Sequence, residues 1–533
     1  MLVSSFDPFH NLVLSSIVAA VPIILFLLCL TIFKMKGIYA ALTTLVVTLI
    51  VAVVIFKLPA VMAAGAVVEG IFQGWLPIGY IVIMAVWLYK LSTKTGQFAM
   101  IQDSIANISQ DQRVQLLLIG FCFNAFLEGV AGFGVPIAIC SILLIYLGFK
   151  PLQAAMLCLV ANSAAGAFGA IGLPVAVIDT LNLQGGITAH QVSSYSTFTL
   201  AFINFFVPFL LIFIIDGFRG IKETLPFILL VSVIFTVFQG ALTLFQGPEL
   251  ADILPPLASM GALALLSRKV QPKHIFRLEK DSKPPVTQKL TVKQILYAWS
   301  PFYILTILVM LWSMPFFKAL FLPGKPLHFL AVQLPLPGTF SEVTKKAITL
   351  NLNVIGQTGT AILITIIITV LLSQTTTFKD AGQLLGETFK ELWISVITIC
   401  FILAVSKLTT YGGLSAAMGQ GISKAGGIFP LFSPVLGWIG VFMTGSVVNN
   451  NSLFAPIQAS VAGQIGVKGG MLVAANTAGG VAAKIISPQS IAIATAAVKQ
   501  VGKESELLKM ALRYSVGMVI FICIWTFILS LFL

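Results

Sequence analysis

Apolar residues occur along this chain in long blocks. Runs of about 20 mostly apolar positions, the length an α-helix needs to cross a bilayer, recur throughout. The short segments between them hold most of the Lys, Arg and Pro. Candidate spans fall at 12–33, 37–57, 75–91, 152–179, 196–216, 224–245, 252–267, 296–317, 347–372, 390–406, 468–498 and 513–533. Two further apolar stretches, 114–147 and 428–463, are rich in Gly and Pro, and each has room for two half-crossings. The pattern predicts an all-α polytopic membrane protein with about 12 transmembrane helices plus two re-entrant hairpins. A transmembrane β-barrel would instead show strands of about 10 residues with alternating polarity. The first run has no basic segment before it and is longer than a signal-peptide core, so it reads as an uncleaved span.

Charge orients these spans. The segment Arg268 to Lys293 carries Arg268, Lys269, Lys273, Arg277, Lys280, Lys283, Lys289 and Lys293, which places it on the cytoplasmic side. Counting spans outward puts Lys34, Lys36, Lys94, Lys150, Arg219, Lys222, Lys379, Lys390, Lys499, Lys503, Lys509 and Arg513 inside as well, and both termini outside. The stretches 180–195 and 246–251 have no Lys or Arg and fall outside. The loop 318–346 comes out external despite its lysines; it is long and Pro-rich, and long loops follow the rule less strictly. The count closes only if 114–147 and 428–463 each enter and leave on one side.

The same landmarks occur twice in the same order. Asn162-Ser163-Ala164-Ala165-Gly166 precedes Pro174, and Asn476-Thr477-Ala478-Gly479-Gly480 precedes Pro488, at an offset of 314. Upstream, Lys90 matches Lys407, Trp75 matches Trp393, and Phe126-Leu127-Glu128-Gly129 matches Phe442-Met443-Thr444-Gly445 at offsets of 316–318. By the span count, the Asn162 helix runs outward and the Asn476 helix inward, so the two copies are inverted. The expected organisation is a first repeat at 1–266, a basic cytoplasmic linker at 267–295 and a second repeat at 296–533. Each repeat would hold a hairpin (114–147, 428–463) and a broken helix (152–179, 468–498), the four meeting near the midplane. Paired interruptions of this kind mark the binding sites of inverted-repeat secondary transporters.

Composition adds little to the fold but excludes several functions. The chain has 533 residues, of which 58% are hydrophobic and 9% charged, with a mean hydropathy of +1.02. The net charge of +13 does not imply a nucleic-acid partner, because the cations sit mostly between spans and face the lipid surface. The six cysteines lie in apolar runs without Cys-x-x-Cys spacing, and no His pair has ligand spacing, so no disulfide framework, metal or cofactor is expected. No nucleophile constellation appears, so an enzyme is not expected.

The candidate chemistry lies in the interruptions. Glu128 is the only acid between Asp111 and Asp179. A carboxylate at that depth must be neutral, paired or facing a cavity, which suits a proton-coupling group; a hairpin cap is the bland alternative. Gly129, Gly132 and Gly134 allow a tight turn and close approach of a ligand, or close helix packing. In the second hairpin, Asn449 and Asn450 begin a run of three Asn that needs many hydrogen-bond partners. Asn162, Ser163, Asn476 and Thr477 flank the breaks, where freed backbone groups meet ions; the alternative is hydrogen-bonding between packed helices. Lys484 has Ala170 as its repeat-mate, and its ammonium needs a counter-charge: a substrate carboxylate, or Glu128 itself. Ser487 and Gln489 beside Pro488 could add neutral hydrogen bonds. Lys90 and Lys407 fall at span ends, where lysines snorkel.

These stretches resemble a known family. Phe126 to Ile139, Gly445 to Gln458 and Ala482 to Val498 are similar to signature stretches of the bacterial lactate permease family, whose members include L-lactate and glycolate permeases. The resemblance covers nearly the whole chain. It implies an ion-transporter fold of the bacterial inner membrane and proton-coupled uptake of a short 2-hydroxy monocarboxylate such as L-lactate or glycolate. A sodium-coupled carboxylate carrier of the same architecture, or an anion channel, is the alternative. The N-terminal spans could bury a homodimer face.

Overall fold

The protein is described here from a computed structural model. It covers residues 7–533 apart from 107, 133, 271, 273, 279–289, 342–345 and 374. Part of the linker expected at 267–295, including Lys273, Lys280, Lys283 and Lys289, lies outside the described residues.

The N-terminal part begins with α1 (Leu12–Thr31), α2 (Gly37–Ile50), α3 (Ala60–Gln73) and α4 (Tyr80–Lys94). Asn11 starts α1 by accepting hydrogen bonds from the amides of Val13 and Leu14. A short α5 (Gln97–Ala106) follows, then α6 (Gln112–Val130) and α7 (Val135–Tyr146), which pack on each other as a helical hairpin. Next come α8 (Pro151–Asn162) and α9 (Gly169–Leu181), then α10 (Ala189–Phe245) and α11 (Leu254–Lys269). After the linker stand α12 (Val292–Ala298) and α13 (Ser300–Ser313).

The C-terminal part begins with β1 (Val332–Ser341), β2 (Lys346–Leu352) and α14 (Thr358–Leu372). The long α15 (Phe378–Tyr411) opens on a capping box between Thr377 and Asp380. Then come α16 (Leu414–Ser423), a second helical hairpin of α17 (Phe429–Thr444) and α18 (Val447–Ile465), then α19 (Gly469–Lys484), α20 (Pro488–Ala497) and α21 (Glu504–Phe532). The order of long helix, short helix, hairpin, interrupted helix and long helix thus occurs at 60–245 and again at 378–532. Gly96 before α5 and Gly413 before α16 even share a left-handed φ, 76° and 77°.

Among the described residues, nine helices are long and apolar enough to cross a membrane, or ten if α12 and α13, bent by 51°, form one span. The sequence count of about 12 differs for two reasons. The expected spans 196–216 and 224–245 belong to one 57-residue helix, α10, bent at Gly217 and Thr224. That helix would measure about 85 Å if straight, far more than a bilayer core. The expected spans 152–179, 252–267 and 347–372 contain only shorter helices, α8, α9, α11 and α14, while two of the nine, Gln112–Val130 and Gly426–Thr444, lie in the expected hairpins.

One expectation is corrected outright: the fold is mostly helical but not all-α. Val332 pairs with Leu352, Leu334 with Leu350 and Pro335 with Thr349 in an antiparallel two-stranded sheet. The span expected at 347–372 therefore begins as a strand, and its helix starts only at Thr358. The period-two pattern Ile348, Leu350, Leu352 against Thr349 and Asn351 carried that signal. Pro335 and Pro337 are tolerated because a two-stranded sheet has only edges.

Candidate functional site

Four chain irregularities converge on one cavity of about 250 Å³. The turn between α6 and α7 uses Gly132 and Gly134, with φ of 59° and 85°. The turn between α17 and α18 uses Gly445 at φ 68°, after which the Ser446 hydroxyl caps α18 by accepting from the Asn449 amide. Between α8 and α9 the chain passes through turns, and Ala170, Ile171 and Gly172 are left-handed. Between α19 and α20 it breaks at Ile485–Ser487, and the Ser487 hydroxyl accepts from the Ser490 amide to start α20. The opposite wall comes from Gly37 and Ile38 at the start of α2 and Ser395 and Thr398 of α15.

At the centre stands an ion pair. Lys484 Nζ donates to Glu128 Oε1 at 2.5 Å. Asn162 Nδ2 donates to the other carboxylate oxygen at 2.9 Å and also reaches Asn124 Oδ1 at 3.2 Å. Asn124 in turn donates to the Cys158 carbonyl of α8. Glu128 is 2% exposed, while the Lys484 side chain keeps 11% of its surface open, toward the cavity. The pair fits only because the first break is made of glycine. A Cβ at Gly169 would press into the Glu128 carboxylate, and one at Gly166 would run into Val481 beside the Lys484 stem.

Behind the cavity runs a neutral network. Asn476 Nδ2 donates to Asn451 Oδ1 at 3.0 Å, and Gln458 Nε2 donates to Asn476 Oδ1 at 3.3 Å. Asn451 Nδ2 donates to Thr477 Oγ1 and to the carbonyl of Pro174, at 2.9 and 2.7 Å. Pro174 lies inside α9, just past its left-handed residues, so the second hairpin is tied directly to the first interrupted helix.

The structure sorts the sequence candidates into two layers. Glu128, Gly132, Gly134, Asn449, Lys484 and Gln489 line the cavity. Asn162, Ser163, Asn476, Thr477, Ser487, Gly129 and Asn450 lie behind it and are buried. Ser163 donates to the Val160 carbonyl, and Gly129 packs on the backbone of Asp252. Asn124, Asn451 and Gln458 were not singled out as site residues, although each is a polar side chain in an apolar run, which is signal enough.

Lys407 is a correction. It does not snorkel: it is 1% exposed and donates to Glu69 Oε1 at 2.8 Å, while Tyr411 donates to Glu69 Oε2 at 2.9 Å. The snorkelling reading assumed a span ending near 406, whereas α15 continues to Tyr411. Arg113, at the start of α6, is likewise buried, paired with Asp111, Asp216 and Glu223 at 2.8 Å each. Among the described residues, no group of three His, Cys, Asp or Glu is placed to hold a metal ion.

The family model described as L-lactate permease matches residues 15–533. The chain belongs to the L-lactate permease family. It is 54% identical to the L-lactate permease of Halalkalibacterium halodurans, over 100% of both chains. It is 43% identical to the L-lactate permease of Escherichia coli K12, over 98% of this chain and 96% of that one. Identity to the E. coli glycolate permease GlcA is 40%, over 95% and 94%. Among solved structures, the YdaH transporter of Alcanivorax borkumensis is similar over 86% of each chain at a TM-score of 0.44 and 14% identity. Members of this family are permeases, and the apolar helices make this chain a multi-pass membrane protein.

Proposed function

We propose that this chain is a secondary active carrier for L-lactate, or a related short 2-hydroxy monocarboxylate such as glycolate, in symport with protons across the bacterial cytoplasmic membrane. The observation that carries the reading is the Glu128–Lys484 pair on the wall of a small cavity. A volume of about 250 Å³ lies below the ~300–1,000 Å³ of drug-sized sites and suits a ligand of few atoms.

The mechanism follows from charge. In a dry site one ammonium supports one anion, and a second uncompensated carboxylate is costly. When a substrate carboxylate takes Lys484, Glu128 must leave or take up a proton. Proton and substrate binding are then linked, each favouring the other. Asn162 holds the second oxygen of Glu128 and so positions it. Asn449, Gln489 and the hairpin glycines Gly132 and Gly134 offer hydrogen bonds and backbone to the rest of the substrate, while Asn476, Thr477 and Asn451 brace the second break.

In the same reading the two repeats are inverted and their hairpins re-entrant, giving about 12 crossings with both termini outside. The hairpins and interrupted helices move as one body against α2 and α15, which form the opposite wall. The sodium-coupled alternative has one observation behind it: Asn162 Oδ1 is buried without a hydrogen-bond partner among the described residues, a ligand atom open to a cation.

The test is labelled L-lactate uptake into proteoliposomes under an imposed proton gradient, with the parent and Glu128→Gln. The parent should follow the gradient. The variant should exchange lactate across the membrane but fail to concentrate it. Accumulation that follows sodium at fixed pH would replace the proton by sodium. Absence of gradient-driven uptake under both conditions would remove the lactate assignment.

A further inference from the structure

A second carboxyl lies beside this site with no Lys or Arg paired to it among the described residues. Asp252 sits in the turn before α11 and is 0% exposed. Its Oδ1 accepts from Gln239 Nε2 at 2.7 Å, and Gln239 Oε1 accepts in turn from Asn204 Nδ2. Its Oδ2 is buried with no hydrogen-bond partner, and no Lys or Arg is paired with it among the described residues. The groups around it on α10 are neutral amides. The charged groups that act on it through space are Glu128 of α6 and Lys484 of α19.

Asp252 also touches the arm that carries Glu128. Gly129, the next residue, packs so closely that a Cβ there would lie 2.9 Å from Asp252 Cβ. Gly129 therefore seats the arm that carries Glu128 against Asp252 at a joint that only glycine fits. The two carboxyls differ in one respect: Glu128 has an ammonium and an amide, Asp252 only neutral donors, the Gln239 amide and the Phe168 backbone N–H. A buried carboxyl without a cation is stable only in its neutral form.

We propose that Asp252 is a second proton-binding carboxyl of this carrier. It is protonated while Glu128 is ionised against Lys484, and it donates the proton that Glu128 takes when a substrate carboxylate claims Lys484. In that step the Asp252 O–H bond breaks and a Glu128 O–H bond forms. The resulting Asp252 carboxylate is refilled by a proton from solvent. The inference rests on the carboxylate-transport reading for its donor step, but not for the protonation of Asp252 in the empty protein.

Infrared difference spectroscopy separates the two. The ligand-free parent at neutral pH should show a protonated-carboxyl carbonyl band that Asp252→Asn removes and Asp252→Glu moves, and L-lactate should shift it. In proteoliposomes with one proton per substrate, a one-unit pH gradient supports about tenfold accumulation. Asp252→Asn should lose that accumulation, with exchange falling far less. A missing band, or one that Asp252→Asn leaves in place, overturns the proposal. So does a band indifferent to lactate together with parental accumulation by Asp252→Asn, because Asp252 would then be a permanently neutral packing group. If Asp252→Asn does not fold, Asp252→Glu decides through the frequency of its band. A parent that neither binds nor moves lactate or glycolate sinks the carboxylate reading and the donor step, while the ligand-free band still decides the protonation.

Discussion

Asn451 donates its side-chain amide to the carbonyl of Pro174, 277 residues earlier in the chain. The carbonyl lies in an interrupted helix of the N-terminal part, and the amide in the second hairpin of the C-terminal part. Asn451→Ala leaves that carbonyl, Thr477 and Asn476 short of a partner in a buried setting. An unsatisfied buried group costs about 1–3 kcal/mol. Thermal unfolding in detergent should fall accordingly, and uptake should fall with it. An unchanged midpoint and uptake would show the contact to be incidental.

Gly169 makes room for the Glu128 carboxylate, since an added Cβ would come within 3.1 Å of Glu128 Cδ. Gly169→Ala should move Glu128 off Lys484. Overpacking costs about 1–3 kcal/mol, so uptake should drop roughly tenfold or more. Uptake at the parental rate would mean the carboxylate position tolerates displacement.

Lys484 and Glu128 form one buried electrostatic unit. Removing one partner from such a pair costs about 3–5 kcal/mol, because the other is left uncompensated. Lys484→Met should therefore destabilise strongly, and the double variant with Glu128→Gln should recover most of the loss in a thermal midpoint. Neither should concentrate lactate. Strict additivity of the two single effects would argue against the pair.

Glu69 and Lys407 predict a contrast. Lys407→Met should destabilise by a similar few kcal/mol, and Glu69→Gln in the same chain should restore folding. Because the pair does not line the cavity, the refolded double variant should retain substrate binding, measured by lactate protection against unfolding. Loss of binding with intact folding would tie this pair to the transport cycle.

Glu223 carries the acid dependence of the charged joint at the bend of α10. Hydrogen bonds from Arg113, then Arg219, hold its carboxyl down at about 2. An unfolded Glu titrates near ~4.3. A depressed folded value means the stabilisation is full above that unfolded value and is lost as the pH falls through about 2. Parent thermal midpoints should drop from about pH 4.5 downward, and Glu223→Gln should show a shallower drop. Parallel profiles would place the acid sensitivity elsewhere.

Much of the site was legible because membrane burial makes every polar residue conspicuous. Glu128 and Lys484 stood out as lone charges in apolar runs, and Asn162 and Asn476 stood out by their repeated spacing to a proline. The partners Asn124, Asn451 and Gln458 carried the same signal but had no repeat-mates to mark them. The β-hairpin was hidden because a seven-residue alternation was absorbed into a longer apolar window. Lys407 was misplaced because a span boundary was drawn about five residues short, and in a helix that error separates an interface from a core.

By itself the sequence determined the solvent and the punctuation of this protein. Apolar runs of bilayer length can be satisfied only as helices, and Gly, Pro and Asn at recurring offsets fix where those helices stop. Only the tertiary structure decided which charge answers which. Lys484 pairs with Glu128, 356 residues away, and among the described residues no Lys or Arg pairs with Asp252. Such pairings depend on how separately formed helices pack, and a sequence carries no distance between residues that meet only after the chain has folded back on itself.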